Sequence, residues 1–181
     1  MAWKRSAVNL AITGFMGAGK TTAGKRLARL LHIPFVDTDS AIEETHGKIS
    51  DIFASEGEAQ FRRYEAEAIA RITKGGPLII AVGGGAIVDA ANRAALRANG
   101  CIVNLALKPE TAFRRVAHRA HRPLLGPAPT LETIRAIMRE RERAYADNDL
   151  SIAVDSKSAS AVAHIIARWY RRRSAGGDPG T

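Results

Sequence analysis

The sequence predicts an α/β fold in which βα units build a largely parallel sheet, and two observations support this. Five short apolar runs, each followed by an amphipathic stretch, are the strand candidates: residues 7–13, 34–37, 77–82, 101–107 and 151–154. Strands that alternate with helical patterns are typical of parallel sheets. The chain has 181 residues, 46% of them apolar, which suffices for the core of one domain but not for two ordinary domains.

The predicted helices rest on apolar residues that recur with a period of 3.6. Their stripes are Ala23, Leu27, Leu30 and Leu31 in the first helix; Phe61, Tyr64, Ala68, Ile69 and Ile72 in the second; Leu131, Ile134, Met138 and Tyr145 in the third; and Val162, Ile165, Ile166 and Trp169 in the last. Residues 117–130 contain three prolines and one glycine, which predicts a mobile loop. We expect one domain over residues 1–173 and a flexible tail over 174–181.

Charge and cysteine content limit the possible classes of protein. A formal net charge of +9 is compatible with nucleic-acid binding, although small anionic ligands would explain the arginines as well. The single cysteine, Cys101, excludes an internal disulfide and fits a reducing compartment. No apolar run approaches 18 residues, so no membrane span is expected. These features predict a cytoplasmic protein.

The first apolar run leads into a phosphate-binding motif. Gly14, Gly19, Lys20 and Thr21 satisfy the P-loop pattern G-x-x-x-x-G-K-[ST], between a strand and a helix as the motif requires. Glycines allow successive N–H groups to surround phosphate oxygens, and the helix N-terminus attracts negative charge. The predicted ATP contacts of the loop are Gly17, Ala18, Gly19, Lys20, Thr21 and Thr22. The motif alone does not distinguish an ATPase, a GTPase and a kinase.

Two aspartates follow the second predicted strand, in the run FVDTD. A magnesium ion at the phosphates would need the Thr21 hydroxyl and a nearby carboxylate. Asp37, at the end of the strand, is the candidate for that carboxylate. Asp39 has two interpretations, a catalytic group or the N-cap of the next helix, and the cap suits Asp39 better than Asp37.

Arginines on inward-facing positions suggest an anionic second ligand. Arg141 completes the apolar stripe of its helix, at i+7 from Ile134, and it either presents a cation to a buried anion or snorkels at the edge of the stripe. Arg62 lies one turn from Glu65, which could orient the guanidinium to bind a carboxylate. Gly83, Gly84 and Gly85 end an apolar strand, where α/β sheets bind ligands.

Six motifs in the order and spacing found here resemble the shikimate kinase family: GFMGAGKTT, FVDTDSAIEE, ISDIFASEGEAQFRRYE, VGGGA, RPLL and RERAY. They span residues 14–145, most of the chain. The resemblance implies a three-layer sandwich of the P-loop kinase type, with a five-stranded parallel sheet in the order 2-3-1-4-5. It also implies transfer of the ATP γ-phosphate to the 3-hydroxyl of shikimate, in chorismate and aromatic amino-acid biosynthesis, with Mg²⁺ as cofactor.

The resemblance also implies roles for individual residues. Asp39 would bind the shikimate hydroxyls and help to activate the attacking oxygen, and Lys20 would neutralise the transferring phosphoryl group. Arg62, Arg141 and the glycines 83–85 would bind the substrate carboxylate, with support from Glu65, in a substrate-binding region that includes residues 38–66. The lid over residues 117–130 would contribute Arg122. Arg115 and the loop that contains Lys157 would lie beside the nucleotide.

Two rival functions stay open at this stage. Another small-molecule kinase of the same fold could act on gluconate or on a nucleotide monophosphate. A basic nucleic-acid-binding P-loop protein is the other alternative, but it would need aromatic side chains among its basic residues, and aromatics make up only 6% of the chain. We therefore expect shikimate and ATP as partners, no nucleic acid and no membrane, and a monomer.

Overall fold

The computed structural model describes residues 8–116 and 129–174, and their core is a five-stranded parallel sheet. The strands are β1 Asn9–Gly14, β2 Phe35–Asp37, β3 Ile79–Ala81, β4 Gly100–Ala106 and β5 Leu150–Ala153. Their order across the sheet is β2-β3-β1-β4-β5. The five predicted strands and the predicted order are thus confirmed.

Eight α-helices and one short 3₁₀ helix, Ala86–Val88, are present in the described part of the chain. The α-helices are α1 Lys20–Leu31, α2 Thr38–His46, α3 Ile49–Ser55, α4 Gly57–Ile72, α5 Ala90–Ala98, α6 Pro109–Val116, α7 Leu131–Ala146 and α8 Ala159–Ser174. The last helix includes Arg171, Arg172 and Arg173. The residues predicted to form a flexible tail lie outside the described residues, apart from Ser174.

The sheet buries both of its faces, which explains why its strands are continuously apolar. Leu10 and Ile12 of β1 face a cluster that includes Leu27 of α1 and Ile166 of α8. Ala11, between them, faces the opposite cluster with Ile69 of α4. Side chains of a strand alternate between its faces, so the two clusters are the two cores of the three-layer arrangement.

The carboxyl ends of the strands bring the predicted site residues to one edge of the sheet. The phosphate loop follows β1, Asp37 ends β2, and the three glycines follow β3 after Val82. Because all five strands are parallel, these segments lie at the same edge, where open α/β sheets bind their ligands. No helix within residues 8–116 and 129–174 is long and apolar enough to cross a membrane.

Candidate active site

The phosphate loop has the backbone that its glycines predict. Gly14, Gly17 and Gly19 all have positive φ, at 137°, 81° and 89°. A Cβ at Gly14 would also lie 2.6 Å from the carbonyl oxygen of Leu105, so a side chain is excluded there twice over. The Lys20 ammonium donates a hydrogen bond of 2.8 Å to the Gly14 carbonyl, and this bond keeps the positive charge of Lys20 beside the loop.

Thr21 and Asp37 meet beside this loop. The Thr21 hydroxyl donates to Asp37 Oδ2 at 2.7 Å. Asp37 is also the N-cap of α2, because its Oδ1 accepts from the amides of Asp39 and Ser40. The expectation that Asp39 suits the cap better is therefore wrong: the helix begins at Thr38, one residue after β2 ends, which leaves the cap position to Asp37.

Arg115 joins the phosphate loop to the segment that follows β5. Its guanidinium donates to the carbonyl of Gly17 at 3.0 Å and to the carbonyls of Val154 and Asp155 at 3.2 and 3.3 Å. Lys157 follows in the same segment and is exposed. The structure thus brings Arg115, one of the residues predicted to bind the nucleotide, next to the loop. Arg122 and the rest of the predicted lid up to residue 128 lie outside the described residues.

Arg62 is held by two carboxylates of its own helix. Its Nη1 donates to Glu65 at 2.8 Å, and its Nη2 donates to Glu58 at 3.0 Å. Burial lowers the pKa of Arg62, but the two carboxylates outweigh burial and the pKa is raised overall. Burial raises the pKa of Glu65, while Arg62 opposes that rise. The predicted orienting role of Glu65 agrees with this geometry, and Glu58 is a second support.

Asp39 and Glu65 approach the glycine segment, residues 83–85, from the same side. A Cβ at Gly83 would lie 2.7 Å from Asp39 Oδ1 and 2.8 Å from Glu65 Oε1. A Cβ at Gly85 would lie 2.7 Å from Nη1 and Nη2 of Arg62. The absence of side chains at Gly83 and Gly85 therefore lets three charged groups converge on the loop after β3.

Arg141 projects inward from α7, as its place in the apolar stripe predicts. It is only 9% exposed, and its Nη1 donates to the Gly84 carbonyl at 3.2 Å. Within the residues that the structure describes, Arg141 forms no ion pair. Its neighbour Arg143 is exposed. A buried cation without a carboxylate partner is costly unless a ligand supplies the negative charge.

Sequence reasoning missed two side chains that hold the glycine segment. Thr38 is fully buried, and its hydroxyl accepts a hydrogen bond of 2.9 Å from the Gly83 amide. The sequence pattern places Tyr145 in the apolar stripe of α7, but its hydroxyl donates to the Gly84 carbonyl at 2.6 Å. Both bonds depend on how distant segments pack. Glu58, which holds Arg62, is a further residue that the sequence analysis does not assign, and for it the sequence has a signal: the spacing of four between Glu58 and Arg62 puts two opposite charges on one helix face.

The comparisons with known proteins agree with this arrangement. A family model described as shikimate kinase matches residues 16–171. A shikimate kinase of Moorella thermoacetica is 45% identical over 160 residues, which are 87% of this chain and 91% of that protein. The chain belongs to the shikimate kinase family. It is accordingly an ATP-dependent kinase that acts on a hydroxyl of shikimate.

Other relatives extend the family likeness to structure. A shikimate kinase of Caldanaerobacter subterraneus is 38% identical over 163 residues, with 90% of this chain and 95% of that protein covered. The structure of Acinetobacter baumannii shikimate kinase in complex with shikimate matches with a TM-score of 0.87 and 34% identity, over 92% of this chain and 94% of that chain. A gluconokinase of Sinorhizobium meliloti shares only the fold, with a TM-score of 0.67 and 15% identity.

Proposed function

We propose that the enzyme transfers the γ-phosphate of ATP to the 3-hydroxyl of shikimate and recognises the acceptor through its carboxylate. The observation that carries this proposal is Arg141, a buried cation that donates to the Gly84 carbonyl and forms no ion pair within the described residues. Arg62 lies against the same glycine segment. Two guanidinium groups directed at one place suit a carboxylate, which accepts up to four hydrogen bonds.

Asp39 acts on the reacting hydroxyl. Its Oδ1 lies beside Gly83, at the same end of the sheet as Lys20. The hydroxyl proton passes to the Asp39 carboxylate as the hydroxyl oxygen bonds to the γ-phosphorus and the bond to the ADP oxygen breaks. The Lys20 ammonium neutralises charge on the transferring group, and Arg122 of the lid adds to this.

Thr21 and Asp37 provide the place for Mg²⁺. A hydroxyl and a carboxylate oxygen at 2.7 Å, next to the lysine of the phosphate loop, fit a hard cation that prefers oxygen ligands. No group of three or more His, Cys, Asp or Glu side chains within the described residues could hold a metal by itself. Nucleotide phosphates would therefore have to complete the magnesium site, and a cation held there would neutralise their negative charge.

Arg115 and Lys157 contact the nucleotide on the other side of the phosphate loop. Arg115 ties that loop to the segment after β5, so both can respond to the same ligand. The backbone amides of Gly84 and Gly85 add contacts to shikimate, whereas the Gly83 amide already donates to the Thr38 hydroxyl. The monomeric state and the cytoplasmic location stay predictions.

The test is ADP release with shikimate, gluconate and a nucleoside monophosphate offered in parallel. Acceleration by shikimate alone is expected, because only shikimate presents a ring carboxylate to Arg62 and Arg141 together with a hydroxyl to Asp39. Equal acceleration by gluconate or by the nucleotide would overturn the proposed acceptor. A reaction without acceptor gives the rate of ATP hydrolysis, which must be subtracted in each case.

A further inference from the structure

Tyr145 and Arg141 converge from α7 on a single carbonyl group. The Tyr145 hydroxyl donates to the Gly84 oxygen at 2.6 Å, and Arg141 Nη1 donates to the same oxygen at 3.2 Å. A carbonyl oxygen has two lone pairs, so these two donors satisfy it fully. Tyr145 lies one helical turn after Arg141, which is the spacing that brings two side chains of a helix to one place.

The carbonyl that they bind belongs to the central peptide of a turn, which the Ala86 amide closes by donating to the Gly83 carbonyl at 3.2 Å. This peptide joins Gly84 to Gly85, and glycine adopts many backbone conformations at low cost. In a planar trans peptide the C=O and the following N–H point in opposite directions. When α7 holds the Gly84 carbonyl, the Gly85 amide is therefore directed away from α7. Gly85 lies against the guanidinium of Arg62, so this one peptide links both arginines of the site.

We infer that Tyr145 is a positioning residue for the acceptor carboxylate. Its hydroxyl holds the Gly84–Gly85 peptide in one orientation, and thereby fixes the spacing between Arg141 and Arg62. This inference rests on the proposed function, in which both arginines bind that carboxylate. Tyr145 itself does not contact the acceptor in this arrangement, so its effect is on acceptor affinity rather than on the phosphoryl-transfer step.

The surroundings of Tyr145 suit such a role. Its ring packs against both apolar clusters of the sheet. Burial raises the pKa of Tyr145, while Arg141 opposes the rise, so the hydroxyl keeps its proton and stays a donor at neutral pH. Phenylalanine would preserve the ring packing and delete only this hydroxyl, which makes Tyr145→Phe a clean substitution.

The chain contains a matched control on α8. The Tyr170 hydroxyl donates to the Val8 carbonyl, also at 2.6 Å, and the residue is 4% exposed. Tyr170→Phe therefore deletes the same chemical group and a hydrogen bond of the same length. The deleted bond joins α8 to the start of the sheet and does not involve the glycine segment. Any general cost of losing a buried tyrosine hydrogen bond appears in both variants.

The experiment measures KM for shikimate, KM for ATP and kcat in the wild type and both variants. A net hydrogen bond is worth about 3- to 10-fold in an equilibrium, so Tyr145→Phe should raise KM for shikimate by about that factor. KM for ATP and kcat should stay within about twofold of wild type, and Tyr170→Phe should change none of the three beyond that. A shikimate KM equal in the wild type and Tyr145→Phe, or equally raised in both variants, would overturn the inference.

A second measurement tests whether the effect operates through the carboxylate. The inhibition constant of shikimate carboxamide is compared in the wild type and Tyr145→Phe. Because the neutral amide cannot pair with both guanidinium groups as a carboxylate does, the variant should lose about twofold or less of its affinity for the amide. An equal loss for acid and amide would contradict a carboxylate-specific role. If the wild type does not phosphorylate shikimate, the proposed function fails instead, so the two failures are distinguishable.

Discussion

The phosphate loop comes from one run of nine residues, 14–22, whereas the acceptor side is assembled from four segments, at residues 39, 62–65, 83–85 and 141. Local conformation builds the first: three positive-φ glycines and a helix N-terminus suffice. The second depends on the packing of α4 and α7 against the segment after β3. We therefore expect substitutions on the acceptor side to change acceptor use while ATP binding stays intact.

The largest expected effect of this kind comes from Asp39→Asn. The amide cannot accept the hydroxyl proton, so turnover should fall about 10²- to 10⁴-fold, the usual range for a general base. ATP affinity should be unchanged, because Asp37 rather than Asp39 caps α2 and meets Thr21. Steady-state kinetics and a nucleotide titration check both parts. Asp51→Asn, on the exposed side of α3, is the control, and near-normal turnover of the Asp39 variant would remove Asp39 from catalysis.

Arg141→Ala should have the next largest effect, and it should act on binding. Losing one partner of a buried charge pair costs about 2 kcal/mol or more, so shikimate affinity should fall about 30-fold or more. The exposed Arg143, two residues later on α7, is the control, and Arg143→Ala should leave affinity unchanged. Calorimetric titration with shikimate measures this directly. Equal affinities of the two variants would contradict a role for Arg141 in binding the carboxylate.

Both sides of this comparison show what a sequence can predict. The phosphate loop can be predicted from its own nine residues, and the inward position of Arg141 can be predicted from the helical period of α7, because both signals are local. The bonds from Thr38 to Gly83 and from Tyr145 to Gly84 span 45 and 61 residues, and no local pattern specifies them. The first depends on strand register, since Asp37 pairs with Ala81 and so brings Thr38 close to Gly83. The second depends on the packing of α7 against the segment after β3.

The N-cap of α2 is also beyond what the sequence pattern alone can predict. Asp37 and Asp39 are both acidic residues near a helix start, and N-cap preference alone does not separate them. The helix begins at Thr38, directly after β2, and this decides in favour of Asp37. A shift of two residues thus reassigns the cap and leaves Asp39 in the first turn, beside the glycine segment. The boundaries of helices and strands are harder to predict from sequence than their existence. Here the start of α2 at Thr38 decides which aspartate is the N-cap.

A pair of glycine variants gives a moderate effect. A Cβ at Gly85 would meet the Arg62 guanidinium at 2.7 Å, whereas a Cβ at Gly84 would find its nearest atoms at 3.6 Å. Since Glu58 and Glu65 hold that guanidinium, Gly85→Ala should displace Arg62 and weaken shikimate binding about tenfold, within the usual cost of overpacking. Gly84→Ala should change affinity by about twofold at most. Identical affinities in the two variants would contradict the contact between Gly85 and Arg62.

The smallest expected effect is that of alkylating agents on Cys101, which belongs neither to the phosphate loop nor to the acceptor side. It lies in β4 and is fully buried, and burial raises the pKa of its thiol to about 12. At pH 8 only about one thiol in 10⁴ would be ionised, so iodoacetamide should leave the folded enzyme unlabelled and fully active. Mass spectrometry checks the labelling, with the urea-unfolded protein as the positive control. Rapid labelling of the folded chain would contradict the burial of this strand.

The central claim is that the phosphate held by the local loop passes to the 3-hydroxyl of an acceptor held by four distant segments. The most direct test is ³¹P NMR of the mixture formed from ATP and shikimate. We expect one new phosphomonoester resonance that couples to the ring proton at position 3, as the proposed function requires. Inorganic phosphate as the main product, or coupling to a proton at another ring position, would contradict it.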